Sequence, residues 1–205
     1  MDRRGFFRQV LRKGGEQVVK RADARVARQA GRWIRPPFAL PELEFLLACT
    51  RCGECISACP HQVVFPLAAR LGVQVAGTPA LDLLTRGCHL CADWPCVAAC
   101  ETGALARPLA GDVGEDAGEG AEPVLPRLAI AQIDTRACLP WSGPECGACR
   151  DACPVPGAMV WDQERPRIDP GHCTGCSLCR EACILEPRAV RIQSLQAAGA
   201  EGEGE

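Results

Sequence analysis

Cys49-Thr-Arg-Cys52-Gly-Glu-Cys55-Ile-Ser-Ala-Cys59-Pro60 is the stretch that decides how this chain reads. Its spacing is C-x2-C-x2-C-x3-C-P, the ligand run of a [4Fe–4S] cubane. Three thiolates separated by two residues wrap a tight loop around one cubane, each on a different iron. The fourth follows about one helical turn later, points elsewhere and ligates a neighbouring cluster. Proline then ends the turn, because it lacks an N–H and fixes φ. Structural zinc is the competing reading. It is disfavoured because zinc sites split their ligands into two separated pairs.

The motif recurs. The chain holds 16 cysteines, and all fall into groups of four. The second group is Cys88, Cys91, Cys96 and Cys100, spaced x2, x4, x3. The third is Cys138, Cys146, Cys149 and Cys153, spaced x7, x2, x3, with Pro154 next. The fourth is Cys173, Cys176, Cys179 and Cys183, spaced x2, x2, x3. No cysteine is left over. The economical assignment is four [4Fe–4S] clusters with all 16 cysteines as iron ligands. Dense disulfides are the rival use, but they belong to small secreted chains, and this spacing suits them poorly.

Composition agrees. At 205 residues one or two domains are expected. The hydrophobic fraction is 47%, yet 30 alanines and 16 cysteines supply about half of it. Five Phe, four Trp and no Tyr leave few large core side chains. Metal ligation can replace a missing core, because binding free energy is folding free energy where the bare site is not preformed. The bare chain is therefore expected to be largely unfolded. Charge is uneven: residues 1–35 carry net +8 and the remainder net −10. Bound thiolate clusters would make the body more negative still. Such a body suits steering towards a basic docking surface and disfavours nucleic acid.

Asp2-Arg3-Arg4-Gly5-Phe6-Phe7-Arg8 resembles the twin-arginine export motif. An export signal continues into an apolar run of about 7–15 residues, but between Arg8 and Arg35 no uncharged run exceeds three. Gln9 to Arg35 instead reads as a basic helical stretch, broken at Gly14-Gly15, with Phe7, Leu11, Val18, Ala22 and Val26 roughly on one side. The expected location is cytoplasmic, with twin-arginine export to the periplasm as the alternative. This arm is read as lying on its own acidic body, docking to a partner, or touching an anionic membrane surface peripherally. Nothing approaches a transmembrane span.

The remainder divides as follows. Residues 1–35 form the basic arm, 36–110 a region with motifs 1 and 2, 111–126 an acidic Gly-rich linker, 127–193 a region with motifs 3 and 4, and 194–205 a disordered tail. Leu43, Phe45, Leu46 and Leu47 predict a short helix shielding the first site. His61–Phe65 is β-prone, residues 67–87 read as a connection, and Thr102–Leu105 as a turn into a short strand. Trp94-Pro95 either shades the second site or braces its longer loop. Ala129–Ile133 precedes motif 3 and Ala158–Trp161 follows it; Arg167–Asp169 precedes motif 4 and Ala189–Ile192 follows it. The 19-residue gap between motifs 3 and 4 favours pairing 1 with 2 and 3 with 4. Nested pairing, 1 with 4 and 2 with 3, stays open.

Several stretches resemble the MauM/NapG/NapF ferredoxin-type proteins. They are Arg35-Pro36-Pro37, Leu40-Pro-Glu-Leu-Glu-Phe-Leu46, the expanded second motif, Cys138-Leu-Pro-Trp-Ser-Gly-Pro-Glu-Cys146, and Cys173 through Cys183-Ile-Leu-Glu-Pro-Arg-Ala-Val190. The resemblance spans about residues 35–193. It implies an α+β fold of two bacterial dicluster-ferredoxin-like modules, short β-hairpins and short helices around [4Fe–4S] clusters, preceded by the basic helical arm. It further implies electron transfer to or from a respiratory redox enzyme of the nitrate reductase or methylamine dehydrogenase type. The implied partner is a molybdoenzyme catalytic subunit or a membrane quinol-oxidising iron–sulfur protein. The alternative is a cytoplasmic NapF-like maturation factor that binds a molybdoenzyme catalytic subunit before export.

Four-thiolate ligation leaves no open coordination position for a small-molecule substrate. The sequence has no Gly-rich phosphate loop, no Cys-x3-Cys-x2-Cys radical motif and no His/carboxylate constellation, so no enzyme is expected. His61, His89 and His172 all sit within two residues of a cysteine. They read as polar surface residues or as groups that tune a cluster through its sulfurs.

Overall fold

The computed structural model describes residues 30–108 and 125–197. Most of the expected arm, nearly all of the acidic linker and most of the tail lie outside the described residues. The described chain is a mixed α+β structure of very short elements. The first half holds α1 (Glu42–Ala48), α2 (Glu54–Ser57), β1 (Val64–Pro66), a 3₁₀ turn (Ala69–Leu71), β2 (Pro79–Leu81) and α3 (Pro95–Ala98). The second half holds β3 (Ala129–Ile133), α4 (Leu139–Ser142), β4 (Met159–Asp162), β5 (Arg165–Ile168), α5 (Leu178–Glu181) and β6 (Val190–Ser194).

Both halves follow one plan. In the second, β3 before motif 3 pairs antiparallel with β6 after motif 4, Ala129 opposite Ser194. The inner strands β4 and β5 pair with each other, Met159 opposite Ile168. In the first half the inner pair is β1 with β2, Val64 opposite Leu81. The outer pair shrinks to a bridge between Ala39 and Leu105, supported by Leu40 N–H to Ala104 O at 3.0 Å and Ala106 N–H to Phe38 O at 2.9 Å. Strands flanking one motif therefore pair with strands flanking the other. The stretch 67–87, expected as a plain connection, contributes β2. Pro79 opens that strand at its edge, and all three β2 residues are buried.

Local sequence explains the starts and stops. Helix α1 begins behind Pro41 with Glu42 and Glu44 in its first turn, where carboxylates offset the positive end of the helix dipole. The β4–β5 turn places Gln163 at φ 45° and Glu164 at φ 69°. Two left-handed residues in a two-residue hairpin give the twist that antiparallel strands need.

Apolar packing is thin and is organised around thiols. One buried cluster contains Cys59, Cys88 and Cys176, a second Cys55 and Cys96, and a third Cys179. A fourth joins Ala30 and Trp33 to Leu67, Val75 and Ala80, so the end of the expected arm is built into the first half. Ser194, at the start of the expected tail, is buried and donates to Gly31 O at 2.9 Å.

Arg35 ties this corner together. It donates to both Glu42 oxygens at 2.9 and 2.6 Å, to Thr78 Oγ1 at 2.9 Å and to Pro79 O at 2.7 Å. Its guanidinium carbon lies 4.5 Å from the centre of the Phe45 ring. The Arg35 and Glu42 side chains are only 8% and 6% exposed. Removing one partner of such a pair strands a buried charge, at a cost of roughly 3–5 kcal/mol. Arg35→Ala is expected to lower the denaturant midpoint, followed by far-UV circular dichroism, far more than Arg150→Ala does. Arg150 pairs with Glu164 at the surface, where its side chain is 45% exposed.

Candidate iron–sulfur sites

Motifs 1, 2 and 4 fold with left-handed backbone conformations in the cysteine loop. The residue before the second cysteine has positive φ in three motifs: Arg51 (61°), Leu90 (49°) and Gly175 (73°). The residue two before the third cysteine does so as well: Gly53 (84°), Trp94 (48°) and Ser177 (72°). Such conformations are costly for side-chain-bearing residues and gather at functional sites. They turn successive amides to the same side, which makes a concavity for an anion. Each of Gly53, Trp94 and Ser177 then caps a one-turn helix that carries the third cysteine.

The result is four small cavities, each lined by four cysteines. Cys49, Cys52 and Cys55 of motif 1 are joined by Cys100 of motif 2. Cys88, Cys91 and Cys96 of motif 2 are joined by Cys59 of motif 1. Cys138, Cys146 and Cys149 of motif 3 are joined by Cys183 of motif 4. Cys173, Cys176 and Cys179 of motif 4 are joined by Cys153 of motif 3. All the cysteines singled out in the sequence are brought into these groups. The pairing is 1 with 2 and 3 with 4, not nested.

Electrostatics groups the thiols in the same way. Burial first, then the neighbouring Cys100, Cys49 and Cys52, together push the Cys55 thiol up from 9.0 to about 12. Burial likewise lifts Cys88 and Cys179 to about 12, and Cys96 and Cys149 to about 11. Such thiols are protonated at neutral pH unless a cation replaces the proton, and a coordinating metal does so outright. Backbone N–H groups already point at the sulfurs: Leu105 N lies 3.4 Å from Cys100 Sγ, and Gly175 N lies 3.3 Å from Cys173 Sγ.

The lining also offers donors without a protein acceptor. Thr174 lines the motif 4 cavity, is 5% exposed, and its Oγ1 has no hydrogen-bond partner. A buried hydroxyl left without a partner is unfavourable; a thiolate at Cys176, whose charged form Thr174 favours, gives it one. Among the described residues no group of three or more His, Cys, Asp or Glu side chains is set to hold a single metal ion. The donor set is four soft sulfurs around a volume, which suits an iron–sulfide cluster.

Aromatic and imidazole rings seal the sites. Phe45 is fully buried against the motif 1 cavity. Trp94 is 4% exposed, lines the motif 2 cavity and packs edge-on against Phe38 at 5.0 Å. It therefore both shades the site and braces its loop. His61 and His89 stack over the same cavity with centroids 3.5 Å apart and ring planes within 6°. Burial and the neighbouring His61 lower the His89 pKa, so its neutral form is favoured. His172 lies elsewhere, 3.0 Å from Asp169 at the surface. In the sequence the two stacking histidines are far apart, and neither their contact nor the role of Thr174 is signalled by spacing.

A small mixed α+β chain whose cysteine loops interlock around four-sulfur cavities is a ferredoxin-type iron–sulfur protein. A 4Fe-4S binding domain model matches residues 46–69 and 144–156. The methylamine utilization ferredoxin-type protein MauM of Methylophilus methylotrophus is 36% identical over 207 residues, covering 93% of this chain and 86% of that protein. The ferredoxin-type protein NapG of Escherichia coli (strain K12) is 33% identical over 215 residues, covering 97% and 88%. NapF of the same strain is 27% identical over 163 residues, covering 76% and 83%. No solved structure matches. The chain belongs to the MauM/NapG family of ferredoxin-type proteins.

The raised thiol pKa values fix a direction with pH. A thiol held above its usual pKa keeps its proton through neutral pH, so ligation must expel that proton. The loaded state is then favoured as pH rises and lost as pH falls. Loading the bare chain with iron and sulfide in weakly buffered solution at pH 7 is expected to release more protons than the same mixture releases without the chain. Acidification should bleach the loaded protein. Loading without that excess would contradict the assignment of these thiols as ligands. Thr174→Val removes a donor beside Cys176. It is expected to make one redox potential more negative, by the order of tens of millivolts, and to leave the iron content unchanged. Potentiometric titration followed by EPR reads the shift.

Proposed function

We propose that this protein is a one-electron carrier holding four [4Fe–4S] clusters, one in each cavity. The observation that carries this reading is the repeated three-plus-one arrangement: three cysteines of one motif and the last cysteine of its partner. A bound cluster would supply reversible one-electron chemistry at fixed geometry. The chain's own residues supply the rest. Phe45 and Trp94 exclude water from the first-half sites. Backbone amides at Leu105 and Gly175 stabilise negative charge on sulfur. Four thiols per site fill the coordination of the iron and leave no position for a substrate, so the protein is read as a carrier and not as an enzyme.

Its partners are then other redox proteins. The relatives are named for methylamine utilization and as NapG-type ferredoxins, which supports a respiratory enzyme system of that kind as donor or acceptor. A second reading is favoured by the charge of the first 35 residues, net +8 on a chain of net −2. In it the arm docks a catalytic subunit in the cytoplasm and the protein serves maturation. Deleting residues 1–29 separates the two: loss of partner capture with full iron content supports docking.

The shared-ligand arrangement has its own test. Cys52→Ser is expected to disturb the motif 1 site, whereas Cys59→Ser is expected to disturb the motif 2 site and spare motif 1. Iron analysis with EPR of the reduced, anaerobically purified variants distinguishes them. If both substitutions alter the same signal, the ligands are not exchanged between motifs.

A further inference from the structure

The two halves meet through their ligand loops. Cys88 N–H donates to Cys176 O at 2.7 Å. Cys88 belongs to the motif 2 site and Cys176 to the motif 4 site. The two sulfurs are thus linked by covalent bonds and one short hydrogen bond.

This contact is built, not incidental. Gly87 N–H donates to Glu181 Oε2 at 2.7 Å, Ser177 Oγ donates to Leu83 O at 2.6 Å, and Arg180 Nε donates to Leu84 O at 3.0 Å. A Cβ at Gly87 would stand 2.6 Å from Leu178 Cδ2 and 2.8 Å from the Leu178 backbone nitrogen. Only glycine lets the two loops come this close. Cys59, Cys88, Leu83 and Cys176 lie in one buried apolar cluster that spans the junction.

Burial follows the same line. At the junction, Cys59, Cys88, Cys96, Cys176 and Cys179 are buried. At the two far sites only Cys55 and Cys138 are buried, and Cys52 is exposed. Beside them Leu47 and Ile184 are 79% and 71% exposed.

We propose that the four sites form one ordered line, motif 1 to motif 2 to motif 4 to motif 3, and that the backbone hydrogen bond from Cys88 to Cys176 is its central junction. This rests on the carrier reading above. One electron enters at an end site from a reduced protein donor, and one leaves at the other end to an oxidised protein acceptor. No bond forms or breaks and no proton moves. The chain order of the motifs is not the order of transfer: the last two are traversed in reverse. Gly87, Ser177 and Glu181 are positioning residues for the junction.

The test isolates the inner pair. Full-length protein carrying Cys49→Ala, Cys52→Ala, Cys138→Ala and Cys146→Ala keeps all ligands of the motif 2 and motif 4 sites. Its iron content is expected to fall by half, and after dithionite reduction its EPR spectrum should show two interacting spins. Two independent, unsplit signals at half iron content would overturn the line. Should the inner sites also fail to load, Gly87→Leu in the otherwise unaltered protein decides. Full iron content with a loss of interaction between the halves supports the junction, and an unchanged spectrum of the fully reduced protein overturns it. Iron and sulfide analysis of the unaltered protein keeps the questions apart: a protein without both defeats the carrier reading itself, whereas loaded but uncoupled inner sites defeat only the order.

Discussion

Exchange of the fourth thiol between paired motifs is the constraint on which the structure depends. A cysteine loop that supplied all its own ligands would be a closed bead, with no reason to touch its neighbour. Here Cys59 and Cys100 each reach into the other motif's cavity, as Cys153 and Cys183 do in the second half. Each pair of motifs must therefore fold together. The one-turn helices α2, α3 and α5 carry one ligand within and the next just beyond their ends, Cys55 then Cys59, Cys96 then Cys100, Cys179 then Cys183. Each helix ends between its two thiols, so the second lies about one turn further along and beyond the helix, where it meets the other cavity.

The scarcity of large apolar residues follows from the same constraint. Three of the four buried clusters include cavity thiols. A side chain that packs on a cavity wall has no core to fill unless the cavity is itself filled. Short strands suffice because they fasten loops and do not build a layer; the longest ladder among the described residues, β3 with β6, holds five residue pairs. The corner around Arg35 differs, since Trp33, Phe45, Thr78 and Glu42 hold it by ordinary packing and hydrogen bonding. It secures the entry to motif 1, and Phe45 reaches from it to the motif 1 cavity.

Much of this was legible in the sequence, for reasons that can be named. The four cysteine groups, α1 over Leu43–Leu47, β1 after His61 and the strands flanking motifs 3 and 4 are local signals, set by spacing and by runs of apolar or β-branched residues. The preference for pairing 1 with 2 and 3 with 4 came from gap lengths, which limit how far a loop must travel. Strand partners were not legible. The stretches flanking motifs 3 and 4 carry no mark of their partners, yet β3 meets β6 and β4 meets β5. Pairing across the repeat depends on where the cavities put the strand ends, and one motif alone does not reveal it. Strand β2 was hidden for another reason: Pro79-Ala80-Leu81 is too short and too proline-marked to read as a strand until β1 lies beside it. The stacking of His61 on His89 and the orphan hydroxyl of Thr174 belong to the same class, contacts made only once both loops are closed.

On the proposed line of sites, the seam between the halves has a particular demand to meet. An apolar interface with bulky side chains would hold two modules together firmly, but it would separate their ligand loops by the thickness of those side chains. Electron exchange weakens steeply with such separation, so proximity of backbone matters more than area. Where the ligand loops touch, the seam is made of backbone and of small or polar groups, Gly87 against Leu178, Cys88 against Cys176 and Ser177 against the carbonyl of Leu83, with the larger apolar side chains Leu81, Leu83 and Leu128 packed in the cluster around them. Gly175 serves the same end within the second half, where a Cβ would fall 2.1 Å from Ala129 O. Hydrogen bonds with Glu181 and Arg180, which lie on the helix that follows Cys176, add to that packing. Close approach of ligand loops and a satisfied polar seam are one solution to two demands, and the glycine at position 87 is where they meet.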